Sequence, residues 1–321
     1  MRSVRGRCAK CVPGRSPAPC DVPPAVKVAY AGTAPFAVLV LSHLLGSRHR
    51  VVVCVTTPDR PRGRHGRPQP SALKKAALDA GLRVVQPASL GEVVAQDGLL
   101  SVGADVLVAC AYGVIVPSSL LDRLPALVVH PSLVPRWRGA APVERALMAG
   151  ESELGVATLR MTPGVDEGPV ADMRRVHVPG DADAGQAYEL LAAPAAASLV
   201  ATLDGMEGGT VTWTPQSGAA TMAVKLSDDD RLIDWSRPPQ AIADQVRALS
   251  PRIGAVTELA GRRILVWRAL AVEGSADADA GRLVVPCGTG ALEILELQEA
   301  GRRRMTAAEY LRGAGRRLAQ P

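Results

Sequence analysis

Val51-Val-Val-Cys-Val-Thr56 is a continuous apolar run, the kind buried on both faces of a parallel sheet. Working outward, Val26-Lys-Val-Ala-Tyr30 reads as a strand ahead of it, followed by the turn Ala31-Gly-Thr-Ala34 and a helix to Gly46. On the other side a long Pro/Arg loop, Pro58 to Pro70, precedes a helix that starts at Ser71. Arg83–Gln86 reads as a third strand, 91–102 as a helix, and Asp105–Cys110 as a fourth strand. Ala126–His130 and Val156–Arg160 continue the alternation, with a helix at Val143–Ala149 between them. Strands alternating with helices predict right-handed crossovers and the α/β class, here a Rossmann-like, doubly wound, mostly parallel sheet. A final helix is expected over Ala184–Met206, kinked or divided at Pro194.

The texture changes after Glu207. Gly208-Gly-Thr and Pro215-Gln-Ser-Gly218 are linker-like. Beyond Lys225 a short helix, Pro239–Leu249, leads into closely spaced strands at Ala255–Glu258, Arg263–Arg268, Gly281–Pro286 and Leu292–Leu297. Short strands with Gly turns predict a small, OB-like β-barrel. The expected organisation is a disordered basic extension over 1–24, an α/β domain over 25–207, a linker over 208–224 and a barrel domain over 225–321.

Hydrophobic residues make up 47% of the 321 residues and charged residues 21%, a globular balance that excludes a disordered chain. Aromatics are only 3%, so the core must come from Val, Leu, Ala and Ile. No apolar run reaches the ~18 uninterrupted residues of a membrane span, and the longest candidate, Val106 to Pro117, is bounded by Asp105 and Pro117. Lys and Arg number 37 against 31 Asp and Glu, leaving +6, and arginines cluster in the first 15 residues, at Arg60–Arg67 and at Arg302–Arg317. Such clusters are either solvated surface or a footprint for a polyanion. Of the cysteines at 8, 11, 20, 54, 110 and 287, Cys54 and Cys110 sit in strand-like runs as small hydrophobes. Cys8-Ala-Lys-Cys11 with Cys20 lacks a fourth zinc ligand, so no metal is expected. Nothing demands disulfides and 1–24 lacks the apolar segment of a secretory signal, which makes the cytoplasm the default compartment.

In an open parallel sheet, ligands bind beyond the carboxyl ends of the strands. Ala31-Gly-Thr-Ala-Pro-Phe36 has one glycine where a dinucleotide fingerprint needs three. Ser71-Ala-Leu-Lys74 matches S-x-x-K, but Ser at a helix start reads first as an N-cap. His130 ends a strand and runs into the rigid turn Pro131-Ser-Leu-Val-Pro135, and Asp166 lies in the Gly/Pro-bound turn Met161–Pro169. Two titratable groups on loops at one sheet end can form an acid/base pair, because a carboxylate orients imidazole and stabilises its cation. Each taken alone is also an ordinary structural residue.

Five blocks stand in a telling order: Ala31-Gly-Thr-Ala-Pro-Phe-Ala37, Thr57-Pro-Asp-Arg-Pro-Arg-Gly-Arg64, Ala111-Tyr-Gly-Val-Ile115, His130 to Pro142, and Gly164-Val-Asp-Glu-Gly168. With Lys225-Leu-Ser, Ile233-Asp-Trp-Ser236 and Ala300–Met305 downstream, this order resembles the methionyl-tRNA formyltransferase family from residue 25 to the C-terminus. The resemblance implies formyl transfer from 10-formyltetrahydrofolate to the α-amino group of methionyl initiator tRNA, with no metal and no obligate protein partner. It places His130 and Asp166 in the active site, Ser132, Leu133, Val134 and Pro135 on the folate-contacting turn, and Arg64 on a basic loop near the tRNA acceptor end.

Two departures stand out. The family's active-site Asn, two residues before the His, is Val128 here; strand alternation puts it on the same face as His130. Losing one such donor costs roughly 10²–10³ in turnover. A slow enzyme, a compensating donor, a paralogue acting on another acceptor or hydrolysing the formyl donor, and a tRNA-binding paralogue without catalysis all accommodate that change. The second departure is Ser250-Pro-Arg-Ile-Gly-Ala-Val256, where the family's aromatics are missing; altered packing and altered substrate binding both explain it.

Overall fold

A computed structural model describes residues 25–62, 66–259, 261–272 and 282–312. The expected disorder of 1–24, Cys8, Cys11, Cys20, Arg64 and everything after Arg312 lie outside the described residues.

The first half of the chain runs β1 (Lys27–Gly32), α1 (Pro35–Leu44), β2 (Arg50–Val55), β3 (Arg60–Arg62), β4 (Arg67–Gln69), α2 (Ala72–Asp79), β5 (Val84–Val85), α3 (Val93–Leu100) and β6 (Val106–Cys110). It continues with α4 (Ser118–Leu121), β7 (Ala126–His130), β8 (Arg138–Gly139), α5 (Pro142–Met148), β9 (Glu153–Arg160), β10 (Val170–His177) and α6 (Ala184–Glu207). One seven-stranded sheet has the order β10-β9-β7-β6-β1-β2-β5. The five strands from β7 to β5 are parallel, while β9 and β10 are antiparallel additions at one edge. The chain leaves β1 toward β2 and later returns to β6 on β1's other side, so the topological switch lies between β1 and β6. Alternation divides the core: Val28, Tyr30, Val108, Leu127 and Val129 pack under α1 and α6, and Ala29, Ala31, Val53, Leu107 and Ala126 pack on the opposite face with Leu99, Leu120 and Leu124.

Three local expectations are revised. The Pro58–Pro70 stretch is not wholly loop, because β3 and β4 pair as a short antiparallel ribbon. The eight residues of β10 form a strand that the sequence pattern conceals; Asp172, Arg174 and Arg175 interrupt its apolar alternation, the charge pattern that guards a sheet edge. Pro194 does not divide α6, which is one helix of 24 residues. That helix is long and apolar enough to cross a membrane by length and composition alone, but Ala187, Leu191, Ala195, Leu199 and Leu203 are buried in the core. Packing on both sides of the proline outweighs the lost backbone bond, and Asp183 and Gln186 close a reciprocal capping box at its start.

After β11 (Met222–Ala223) come α7 (Pro239–Leu249), β12 (Ala255–Leu259), β13 (Arg262–Val272), β14 (Leu283–Cys287), β15 (Gly290–Glu299), β16 (Met305–Thr306) and α8 (Ala307–Arg312). The expected small barrel is an antiparallel sheet, β12-β13-β15-β14, with β16 on β15. Irregularities around Arg268 break the β13–β15 register and curl the sheet around Ile242, Val246, Ile264, Val266, Leu292, Ile294 and Leu297.

The α5 and α7 helices join the halves. Arg145 on α5 donates to both carboxylate oxygens of Asp230, at 2.6 and 2.8 Å, and to the Val224 carbonyl at 3.1 Å. The second sequence departure falls at this joint. Arg252 lies 5.9 Å from the centroid of the Tyr188 ring and 3.9 Å from Oε1 of Glu144, whose Oε2 accepts from the Tyr188 hydroxyl at 3.0 Å. Where the resemblance leads one to expect aromatic packing, a guanidinium covers the ring of Tyr188 and faces a buried carboxylate, which burial pushes above its ordinary pKa.

Arg145 holds the Asp230 carboxyl down from 3.8 to about 2. A depressed folded-state pKa adds stability above the unfolded value that is lost as pH falls through the folded one. The Asp230→Asn variant is expected to lose about 1 kcal/mol at pH 7, and to lack this residue's share of the decline on acidification through about pH 4 to 2. Denaturant titrations of both proteins across that range check it.

Candidate active site

His130 is the last residue of β7 and only 4% exposed. Its Nδ1 lies 3.4 Å from Asp166 Oδ2, and its Nε2 lies 2.8 Å from the Trp137 carbonyl oxygen. The same Asp166 oxygen accepts the Gly139 amide at 2.9 Å. The imidazole is thus bracketed by two acceptors, one from each loop at this end of the strand. Neither ring nitrogen is open to a substrate in this conformation.

Both loops bend sharply to achieve this. Asp166 has φ +50 and Trp137 φ +60, in the left-handed region, which Asp tolerates better than most residues through its short polar side chain. Gly139 has φ +117, and a Cβ there would stand 2.9 Å from the Ala223 carbonyl. A Cβ on Gly168 would meet the Arg160 carbonyl at 1.9 Å, so only glycine lets the Asp166 turn fold back over the sheet. Gly155 allows the same close approach for Leu133, whose Cδ2 lies 2.3 Å from the position of its missing Cβ.

Ser132 through Pro135 form the turn that leaves His130, but two of their side chains point inward. Ser132 is buried and donates to the Arg136 carbonyl at 2.8 Å. Val134 is buried with Ala157 and Leu159, and half-buried Val128 packs against this cluster. Val128 therefore stands on hydrocarbon, on the face it shares with His130. Leu133 and Pro135 are half-buried.

The switch point between β1 and β6 is closed by the chain itself. The Thr33 amide donates to the Ala111 carbonyl at 3.1 Å, its hydroxyl donates to the Tyr112 carbonyl at 2.7 Å, and a Cβ on Gly32 would meet Cys110 O at 2.7 Å. The chemistry-bearing groups instead gather one strand further on, beyond β7. A cleft of about 410 Å³ lies at the opposite end of β7, lined by Leu121, Ala126, Met161, Met206 and Trp213 among others.

Other sequence candidates resolve plainly. Ser71 is the N-cap of α2, accepting the Lys74 amide at 3.0 Å, and the Lys74 ammonium pairs with Asp59 at 2.8 Å, so the two do not form a nucleophile–base pair. Burial pushes the Cys54 and Cys110 thiols up to about 12. Among the described residues, no three His, Cys, Asp or Glu side chains could hold a metal ion. Arg302, Arg303 and Arg304 lie against Glu299, Glu309 and Glu296, whereas Arg60 and Arg67 are exposed on either side of the undescribed residues 63–65.

Sequence reading missed the linker. Gln216 donates through Nε2 to the carbonyls of Asp166 and Gly168, both at 2.8 Å, and accepts from Arg138 at 2.7 and 3.0 Å. Thr221 Oγ1 accepts the Trp137 amide at 2.9 Å, and β11 pairs with β8. Pro215-Gln-Ser-Gly218 carries only a turn signature, so nothing local announces these contacts.

The two families that this chain matches define it as a formyltransferase. Residues 26–203 match the family described as formyl transferase, and residues 225–315 match the formyl transferase C-terminal domain. The methionyl-tRNA formyltransferase of Thiobacillus denitrificans is 43% identical over 310 residues, covering 91% of this chain and 99% of that protein. That of Chromobacterium violaceum is 39% identical over 307 residues, with the same coverage of 91% and 99%. The chain belongs to the methionyl-tRNA formyltransferase family. Solved structures share the fold at low identity. HypX from Aquifex aeolicus in complex with tetrahydrofolic acid has a TM-score of 0.65 at 17% identity over 90% of this chain and 47% of that one. The methionyl-tRNA formyltransferase from Clostridium thermocellum has a TM-score of 0.55 at 12% identity over 86% of this chain and all (100%) of that one.

The Gly168→Ala variant is expected to push the Asp166 turn off Arg160 and part the carboxylate from His130. If that carboxylate takes part in formyl transfer, turnover should fall roughly 10²-fold, the scale of a ~1 Å misplacement. Steady-state rates beside a circular dichroism spectrum that keeps its wild-type shape check this.

Proposed function

We propose that this enzyme transfers the formyl group of 10-formyltetrahydrofolate to the α-amino group of methionyl initiator tRNA, in the cytoplasm, with His130 and Asp166 as its reactive pair. The observation that carries the reading is the approach of Asp166 Oδ2 to His130 Nδ1 at 3.4 Å, at the carboxyl end of a parallel strand.

The chemistry sets what the site must do. The neutral amine attacks the formyl carbon, a C–N bond forms, and charge builds on the formyl oxygen. Collapse breaks the bond from that carbon to folate N10, while one amine proton is lost and one proton reaches N10. His130 can donate to the oxyanion or relay that proton, and Asp166 holds the tautomer and stabilises the cation. To do either, His130 Nε2 must exchange the Trp137 carbonyl for a substrate atom. Backbone groups of the Ser132–Pro135 turn and the faces of Leu133 and Pro135 are the surfaces left for the pterin, since the Ser132 hydroxyl and Val134 are engaged inside. Arg64, between exposed Arg60 and Arg67, would meet phosphates near the acceptor end.

Val128 supports a slow reaction. It offers no amide donor beside the oxyanion, a loss worth roughly 10²–10³ in turnover. A second reading, a tRNA-binding protein without catalysis, rests on the same residue; a paralogue that hydrolyses the donor or formylates another amine is the third. One assay separates them: purified protein, methionyl-tRNA and 10-formyltetrahydrofolate, with a no-tRNA control. Formyl-methionyl-tRNA that disappears in His130→Ala supports the proposal. Tetrahydrofolate release without tRNA supports the third reading, and salt-sensitive tRNA binding with no turnover supports the second.

The Val128→Asn variant carries its own expected outcome. An amide set among Val134, Ala157 and Leu159 loses water contacts and costs about 1–3 kcal/mol of stability. Turnover should nevertheless rise by about tenfold or more if the missing donor limits the rate. Melting curves and kcat measured on one preparation show whether the two effects move in these opposite directions.

A further inference from the structure

We infer that Gln216, on the segment between the two sheets, is a positioning residue that keeps the Asp166 carboxylate against His130; this rests on the assignment of that pair to formyl transfer. Asp166 sits in a left-handed turn that an L residue seldom adopts unaided. Within that turn, the Gln216 amide takes the carbonyls of Asp166 and Gly168, both at 2.8 Å. Its oxygen takes the Arg138 guanidinium at 2.7 and 3.0 Å. Arg138 is flanked by Trp137, whose carbonyl meets His130 Nε2, and by Gly139, whose amide holds Asp166 Oδ2. One side chain, 50 residues downstream of the aspartate, therefore ties together both loops that bracket the imidazole.

The donors are spent on two main-chain oxygens and the acceptor on one guanidinium, so no polar capacity of this amide faces bulk water unanswered. Its sequence neighbours, Thr214, Pro215 and Ser217, are exposed while Gln216 is half-buried. A clamp of this form sets the angle of a turn, and the turn sets where Oδ2 stands.

The test compares wild type, Gln216→Ala, Gln216→Glu, Asp166→Asn and the Gln216→Ala/Asp166→Asn double variant in formyl transfer from 10-formyltetrahydrofolate to methionyl-tRNA. Gln216→Ala should lower kcat roughly 10–100-fold while both KM values stay within about twofold, with a melting temperature lowered by only about 2–4 °C as its hydrogen bonds are lost. Gln216→Glu keeps the Arg138 contact but turns a carboxylate on two carbonyls, so it should be equally slow. The double variant should be no slower than Asp166→Asn, as expected of residues acting through one another. Wild-type kcat in either Gln216 variant, or losses that multiply in the double variant, would overturn the inference. The chemical shifts of the His130 ring resonances at one fixed pH give a second readout without turnover. In Gln216→Ala they should move toward those of Asp166→Asn, and unmoved resonances overturn the assignment. Wild type that fails to formylate methionyl-tRNA defeats the functional reading instead, and the resonance comparison then decides the role of Gln216 alone.

Discussion

The contact between the end of β7 and the turn that carries Asp166 is the constraint around which this half of the molecule is arranged. Strand β9 runs antiparallel to β7, with Arg160 opposite Leu127, so its end delivers the chain to the wrong end of the sheet. The following turn must double back over the sheet before Asp166 can reach His130. That reversal explains the glycine at 168, the left-handed aspartate and the borrowed hydrogen-bond partners from the linker. Each feature is locally costly or locally unremarkable, and each makes sense through the 3.4 Å approach that it permits.

The alternation of apolar runs and helices exposed the parallel sheet because interior strands are buried on both faces and read as unbroken Val and Leu. Lys27–Gly32, Arg50–Val55 and Val106–Cys110 fall within a residue or two of their expected bounds. Edge elements were harder. In β10, Asp172, Arg174 and Arg175 interrupt the alternation, since an edge strand answers to solvent as well as to its neighbour. The helix across Pro194 misled for the opposite reason, because tertiary packing settled a question that local propensity left open.

His130 and Asp166 were legible as a pair only through the order of several motifs, since each residue type has common structural uses. Their convergence depends on backbone geometry that no periodicity encodes. The Trp137 carbonyl, the Gly139 amide and Gln216 were invisible for that reason: main-chain atoms have no residue signature, and the glutamine lies in a stretch that reads as spacer. The Arg252 substitution was visible, yet its partners Glu144 and Tyr188 stand on other helices and emerge only once α5, α6 and α7 are packed.

Charge on this protein is arranged differently from its count. Arg302, Arg303 and Arg304 each face a glutamate, and Glu299 is shared with Arg262, so most of this charge cancels beyond a Debye length of about 8 Å. The ribbon bearing Arg60 and Arg67 has exposed guanidinium groups and sits beside the α/β sheet. Among the described residues, the ribbon therefore presents its Arg60 and Arg67 side chains directly to solvent. Arg302, Arg303 and Arg304 would reach a further anion by giving up the glutamates they already hold.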